Sequence, residues 1–345
     1  MIMELITGEN DNGRRLDRIL RKALPELPLA LIHRLLRKGQ VLIDEKPVKA
    51  QNRLETGVII SIPCLKDTLQ PADTSSNLKK NISKTVLPKQ KTVLQSVIQA
   101  DKTFSLKHLP PAEIIWEGIG LIAVNKPVGL AVHGPESLDS AVQSYLEGKL
   151  PSSLSFKPGP LHRLDKPSSG IVVFSSSLDG ARLFTSLMRE RKIRKTYLAI
   201  VEGAVEKEEI WEDELFRDRE KKKTFVKKEQ SPVLYEKESK MPVLSAVTKV
   251  TPLVSKNGYS LIQAEIATGR THQIRAQAAA HGYPLMGDVK YNELRKKNKG
   301  HHVEFFLHAL RVEFLDYLIE VPPPEAFRNK IAELFGDLLN NFISY

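Results

Sequence analysis

Beyond residue 113, runs that read as strands outnumber those that read as helices, and the two do not alternate. A doubly wound parallel sheet needs a crossover helix after nearly every strand, so this order argues against one. The order fits an α+β domain built on a mixed, largely antiparallel sheet with flanking helices. "GLIAVNKPVGLAVH" reads as a strand, a turn at Lys126-Pro127 and a second strand. "RKTYLAIVEG" and "YSLIQAEIATG" read as further strands. Helical spacing marks "LDSAVQSYLEGKL", then "SLDGARLFTSLMRER" with Ala181, Phe184, Leu187 and Met188 inward. "RTHQIRAQAAAHG" reads as a helix closed by Gly282. After a stop at Pro322-Pro323-Pro324, a last helix is expected to bury Phe327, Ile331, Leu334, Phe335, Leu338 and Phe342.

Residues 14–62 read as a separate compact unit. Leu16, Ile19, Leu20, Ala23 and Leu24 recur at helical spacing. Pro28 opens a second helix with Leu31, Ile32, Leu35 and Leu36 on one side, and Gly39 ends it. A strand, a turn at Asp44–Lys46 and a second strand follow. The other faces of the two helices carry Arg18, Arg21, Lys22, Arg34, Arg37 and Lys38. On composition alone that is either a solvated basic face or a polyanion contact.

The net charge of +11 points to a polyanionic partner, nucleic acid above all. Residues 1–63 carry 11 Lys/Arg against 8 Asp/Glu, residues 64–110 carry 8 against 3, and residues 111–345 carry 33 against 30. The excess is thus densest in 64–110, a polar, lysine-bearing stretch that reads as a flexible tether with room for a short helix near Val93–Ile98. The expected division is therefore 1–63, linker 64–110 and a main domain over 111–345. No segment approaches the roughly 20 apolar residues of a membrane span. The start, "MIMELITGENDNG", lacks a signal-peptide pattern. With Cys64 alone, neither an internal disulfide nor a cysteine-rich metal site is expected. A cytoplasmic protein without membrane attachment is the expectation.

"GPLHRLDKPSSGIVVF" (159–174) holds the first candidate for chemistry. In an extended chain Arg163 and Asp165 project to one side and His162 and Leu164 to the other. The pair is either an ordinary ion pair at a strand end or a carboxylate held ionised for reaction.

The stretch "LHRLDKPSSGIVVF" resembles the HRLD-type motif of the RluA-family pseudouridine synthases. Four more stretches resemble motifs of that family, in its order: "VNKPVGLAVH" (124–133), "RKTYLAIVEG" (194–203), "ATGRTHQIRAQAAAHGYPLMGDVKY" (267–291) and "FLHALRVEF" (306–314). Together they span about 115 to 325. Residues 14–62 separately resemble an S4-type RNA-binding domain, which many members carry. The order of small domain, linker and catalytic domain is similar to the branch that modifies large-subunit ribosomal RNA.

The resemblance implies the pseudouridine synthase fold, with a cleft along one sheet face, and a small α+β RNA-binding domain before it. It implies isomerisation of uridine to pseudouridine. It makes Asp165 the essential aspartate and Tyr197 the ring that stacks on the target uracil. Arg275 becomes the partner of the aspartate, Ile274 an apolar wall of the pocket, and Arg163 the side chain that fills the space left by the evicted base. Arg18, Arg34, Arg37 and Lys38 become RNA contacts. The reaction has no net redox change or group transfer, so no cofactor and no metal are expected. The partner implied is RNA, ribosomal before transfer RNA, and a monomer is expected. The rival reading is a non-enzymatic RNA-binding or ribosome-assembly factor, which would be free to lose Asp165 or Tyr197.

The chain departs from the family where Ser168-Ser169-Gly170 replaces Thr-Ser-Gly. It departs again at Asn292, which follows the "GDVKY" tyrosine in place of Gly and is expected to tolerate a left-handed turn. The linker is also longer than expected. His162 and His272 are expected to hold turns by hydrogen bonding. Lys126 reads either as a phosphate contact or as a solvated turn lysine. Residues 217–228 read as an exposed basic hairpin or loop, either solvated or on RNA backbone. His301, His302 and Glu304 have no spaced partners and read as surface residues.

Overall fold

The computed structural model describes residues 2–63, 103–104, 112–227, 242–292 and 305–336. Most of the expected linker, the residues Leu338 and Phe342 of the last helix, and His301, His302 and Glu304 lie outside the described residues. Two units form. One takes in residues 1–101 and 151–156, the other residues 102–150 and 157–345.

The small unit contains β1 (Ile2–Ile6), β2 (Arg14–Arg15), α1 (Leu16–Ala23), α2 (Leu29–Arg37), β3 (Leu42–Ile43), β4 (Lys46–Pro47), β5 (Arg53–Leu54) and β6 (Ile59–Pro63). Leu16, Ile19 and Leu20 of α1 meet Ile32, Leu35 and Leu36 of α2 over Ile60 and Ile62 of β6. Asp44 and Glu45 take φ of 48° and 62°, which a two-residue hairpin between β3 and β4 demands. The terminal strand β1 pairs along all of β6, a pairing the sequence reading did not include. Arg18, Arg21, Lys22, Arg34, Arg37 and Lys38 all stay exposed.

Residues 151–156 were expected within the large domain, yet they complete the small unit. The reason is Asp11, which is fully buried. Its carboxylate accepts from Gly8 N at 2.9 Å, Leu154 N at 2.8 Å and Ser153 Oγ at 2.8 Å, and also from Ser155 Oγ. Leu154 packs on the apolar core of the same unit. Burial alone would raise the Asp11 pKa. The hydrogen bonds from Ser155, Gly8, Leu154 and Ser153 outweigh it and bring it below the ordinary 3.8.

The large unit is built on one sheet. Its strands are β7 (Thr103–Phe104), β8 (Ala112–Gly118), β9 (Leu121–Lys126), β10 (Gly159–Pro160), β11 (Ser169–Ser175), β12 (Arg194–Glu202), β13 (Glu209–Asp218), β14 (Lys223–Val226), β15 (Val243–Lys256), β16 (Tyr259–Ile266), β17 (Leu307–Phe314) and β18 (Tyr317–Glu320). They lie in the order β14-β13-β15-β16-β12-β17-β11-β9-β8-β7, with β10 on β11 and β18 on β17. Only β11 and β17 run parallel, and every other pair is antiparallel. The mixed, largely antiparallel α+β sheet is the expected one. Its edge strand β7 comes from the end of the expected linker. The "LAVH" stretch after Pro127 is not a strand. Leu130 and Val132 each drop into the core singly, from irregular chain.

Alternation assigns the faces. Val172 and Phe174 point to one side with Tyr197, Ala199, α3 (Leu138–Leu146) and α5 (Gln273–Ala280). Ile171 and Val173 point to the other, toward α4 (Leu178–Arg189). Leu198 and Ile200 share that second side with Phe327, Ile331 and Phe335 of α6 (Glu325–Phe335). Gly170 sits where β11 meets β17, at φ 106°. A Cβ there would stand 2.3 Å from the Ala309 carbonyl oxygen, so only glycine allows this approach.

Replacing Asp11 with Ala strands four donors and should cost about 2 kcal/mol. A thermal melt following the small unit checks this. The wild-type contribution is present above pH 3.8 and is lost as pH falls through the lower folded value, so the two proteins should converge in acid. Gly170→Ala should cost about 3 kcal/mol or more, read as a lowered melting temperature of the large unit.

Candidate active site

Helix α5 carries the residues that fix the site. Gln273 to Ala278 are all buried, so the helix has no solvent face. Small residues let it lie close to the sheet, and its two glutamines moor it. Gln273 donates to the Val247 carbonyl at 3.0 Å and to Thr248 Oγ1 at 2.9 Å. Gln277 donates to the Trp211 carbonyl at 3.0 Å and accepts from Thr248 at 2.6 Å. A helix held on all sides presents Arg275 with little freedom.

Arg275 binds two carboxylates. Its Nε and Nη2 donate to Asp288 Oδ2 and Oδ1 at 2.7 and 2.9 Å, and its Nη1 donates to Asp165 Oδ2 at 2.7 Å. Asp288 is 1% exposed, while the Asp165 side chain is 19% exposed and open to a cavity. The guanidinium lies 5.1 Å from the Tyr291 ring and 5.0 Å from the Phe305 ring. Burial would lower its pKa, but Asp288 and Asp165 outweigh that and hold it above the ordinary value. Arg275 therefore stays a cation, and Asp165 faces the cavity as one end of an Asp–Arg–Asp chain.

The sequence offered Arg163 as the neighbour that could pair with Asp165. The structure corrects this. Residues 161–168 are irregular and β11 starts only at Ser169, so the alternation of an extended chain does not apply. Arg163 is exposed and lines the cavity without an ion pair among the described residues. His162 turns away, accepts Val173 N at 3.0 Å and stacks near Phe184. Burial brings its pKa down to about 3, so it carries no charge at neutral pH.

Lys126 is likewise neither solvated nor available to phosphate. It is fully buried and donates to the carbonyls of Pro127, Leu130 and Lys166 at 2.9, 2.9 and 3.3 Å. Burial lowers its pKa to about 7 against the opposing pull of Asp165. The Lys166 carbonyl also accepts Gly129 N at 2.9 Å, and Ser168 N donates to the Asp165 carbonyl at 3.1 Å. The loop bearing Asp165 is thus tied on both sides of the aspartate.

Tyr197 is 6% exposed and lies between Ala264 of β16 and Ala309 of β17, whose small side chains leave room around its ring. Burial, then Asp165, push its phenol above the ordinary value, so it remains protonated. Ile274, Leu164, Ile266 and Leu307 complete a slot of about 60 Å³ with Arg163, Asp165, Tyr197 and Arg275. His272 takes a left-handed φ of 55° at the start of α5, with Nε2 3.6 Å from Asp165 Oδ1. Burial holds its pKa at about 4 against Asp165. Tyr291 Oη accepts Thr224 N at 2.9 Å and shares a hydrogen bond with His272 Nδ1 at 2.8 Å, which holds the imidazole beside Asp165. Asn292 does not take the expected left-handed angle. Its amide donates to Glu202 at 2.8 Å, which gives this position a side-chain anchor that glycine lacks.

Asp165, Arg163, Tyr197, Ile274 and Arg275 therefore meet in one cavity of the large unit. Arg18 lines a basic pocket of the small unit with Arg15, Arg21 and His33, while Arg34 and Lys38 are exposed on α2 and just beyond it. Sequence reasoning missed Asp288 as a partner of Arg275. The "GDVKY" loop was recognised, but nothing in it tells which residue its aspartate meets.

Residues 120–280 match the family described as RNA pseudouridylate synthase. The chain is 27% identical over 313 residues to ribosomal large subunit pseudouridine synthase C of Vibrio cholerae, covering 89% of this chain and 87% of the other. It is 26% identical over 352 residues to the protein of that name from Escherichia coli, covering 94% of each. The solved human RNA pseudouridylate synthase domain containing 4 shares its fold, with a TM-score of 0.51 at 23% identity over 64% of this chain and 92% of that one. Residues 120–280 are thus an RNA pseudouridylate synthase domain, and the chain is an isomerase that acts on RNA.

Asp288→Ala leaves the buried Arg275 with one carboxylate instead of two. It should lower the stability of the large unit by about 3 kcal/mol, measured by denaturant unfolding. It should also reduce turnover at least tenfold, because Arg275 can then swing away from Asp165.

Proposed function

We propose that the chain converts uridine to pseudouridine in large-subunit ribosomal RNA, with Asp165 as the catalytic residue. The observation that carries this is the Asp288–Arg275–Asp165 chain, which ends in a carboxylate hydrogen-bonded by a guanidinium at a slot walled by a tyrosine. The relatives named for the large ribosomal subunit, matched over most of both chains, support the substrate class.

The uridine must leave its stack to reach Asp165, which costs a few kcal/mol. Stacking on Tyr197 recovers about 1–3 kcal/mol, and Ile274 closes the slot beside it. Arg163, exposed at the rim, takes the space the base vacates. Asp165 then acts on the ribose, at C1′ or on a sugar proton, as the C1′–N1 bond breaks. The uracil turns in the slot and rejoins through C5, which gives up its proton to solvent while N1 takes one up. Arg275 holds the carboxylate in place throughout by its hydrogen bond to Oδ2.

The small unit is an S4-type RNA-binding domain in this reading. Arg18, Arg34, Arg37 and Lys38 meet phosphates, and none of them has an ion-pair partner among the described residues. The protein acts as a monomer in the cytoplasm and needs no cofactor. No described helix is long and apolar enough to cross a membrane.

The test is tritium release from RNA labelled at uridine C5. Wild-type protein should release tritium from large-subunit ribosomal RNA and not from transfer RNA, and Asp165→Asn should release none from either. Release from transfer RNA alone would overturn the substrate. Release by Asp165→Asn would overturn the role of the aspartate.

A further inference from the structure

Beside the slot lies a larger cavity, of about 250 Å³, that shares Arg163, Asp165 and Tyr197 with it. Its wall includes Lys195, two residues before Tyr197 on β12. Lys195 is 6% exposed, yet among the described residues its ammonium has no hydrogen bond and no ion pair. A Cβ added at Gly269 would lie 3.3 Å from its Nζ, so the glycine leaves space in front of the charge. Burial alone brings its pKa down to about 8.

The ammonium lines the cavity with no protein partner among the described residues, so a ligand that enters can answer it. The surroundings say which kind. Arg163, Lys195 and Arg270 line the cavity against one carboxylate, Asp165, and that carboxylate is already bound by Arg275. His162 and His272 are uncharged at neutral pH. The cavity is therefore net cationic, and the adjoining slot, which shares Arg163, Arg270, Asp165 and Ile266 with it, adds the apolar side chains of Leu164, Ile274 and Leu307. The slot suits a flat uncharged ring and the cavity suits an anion. In RNA each base is flanked by phosphates.

We propose that this cavity is a phosphodiester subsite, in which Lys195 and Arg270 grip a phosphate flanking the target uridine. This rests on the RNA isomerase function proposed above. Lys195 and Tyr197 project to one side of one strand, so a single rigid element holds the phosphate and the base at a set separation. Lys195 is a binding and positioning residue in this scheme.

The test compares wild type with Lys195→Met in tritium release and in equilibrium binding of the same ribosomal RNA fragment at several salt concentrations. The variant should raise KM about tenfold and lower kcat less than threefold. Its log–log salt slope should fall by about 0.7, the loss of one phosphate contact on a single strand. Methylphosphonate scanning of the phosphates next to the target uridine locates the contact on the RNA. One position should weaken wild-type binding about tenfold and leave Lys195→Met unaffected. If no single position matters to the wild type, the subsite is overturned. It is overturned too if Lys195→Met keeps KM and salt slope and loses only kcat. A reduced slope in the variant, with no tritium released by the wild type, would sink the isomerase function and keep the phosphate contact.

Discussion

Arg275 between two carboxylates is the contact on which the rest of the site depends. One carboxylate would neutralise the guanidinium, but it would leave the cation free to choose its position. Asp288 takes two of the N–H groups in a fixed fork, so the third points toward Asp165. The burial of α5 on all sides serves the same end, since a helix that cannot rotate or slide keeps its arginine in register with the loop of Asp165. Lys126 does the equivalent from the other side by gathering three carbonyls around that loop. Two buried basic side chains thus bracket the Asp165 carboxylate. One binds its side chain and the other binds the backbone beside it.

Charge in the large unit is sorted by depth as well as by sign. The histidines near the reaction centre are buried and neutral, so they orient groups without adding charge. His308 follows the same rule. Its pKa lies at about 4, and it donates to the Val321 carbonyl and accepts from Ser169, next to Gly170. The permanent cations Arg163 and Arg270 stand at the rim, where a polyanion first arrives. Both also line the slot, so the permanent positive charge lies beside its apolar side chains.

Much of this architecture could be read from the chain. The strands through 121–126, 194–202 and 259–266 and the four described helices of the large unit carry local patterns, and the structure forms them there, the last as far as Phe335. Tyr197, Ile274, Arg275 and Asp165 were found because each sits in a short motif. What escaped depends on distant partners. Asp288 and Lys126 owe their importance to groups brought near only by the fold, and a lysine fully buried against carbonyls looks like any turn lysine in sequence. The Arg163–Asp165 pairing failed because it assumed an extended chain where the backbone is irregular. The strands at 209–218 and 243–256 bury few side chains, and the second carries a bulge at Pro252, so their alternation is blurred.

The dependence of the small unit on residues 151–156 bears on the order in which the protein is made. Asp11 emerges from the ribosome early, but three of the groups that bind its carboxylate are encoded some 142 to 144 positions later. Until that stretch has been synthesised, the first unit carries an aspartate with its lone pairs open and an uncovered patch where Leu154 belongs. A nascent chain normally completes its domains from the N-terminus onward. Here the unit that begins first is finished only after part of the second has left the exit tunnel, so its maturation is timed by translation of its neighbour.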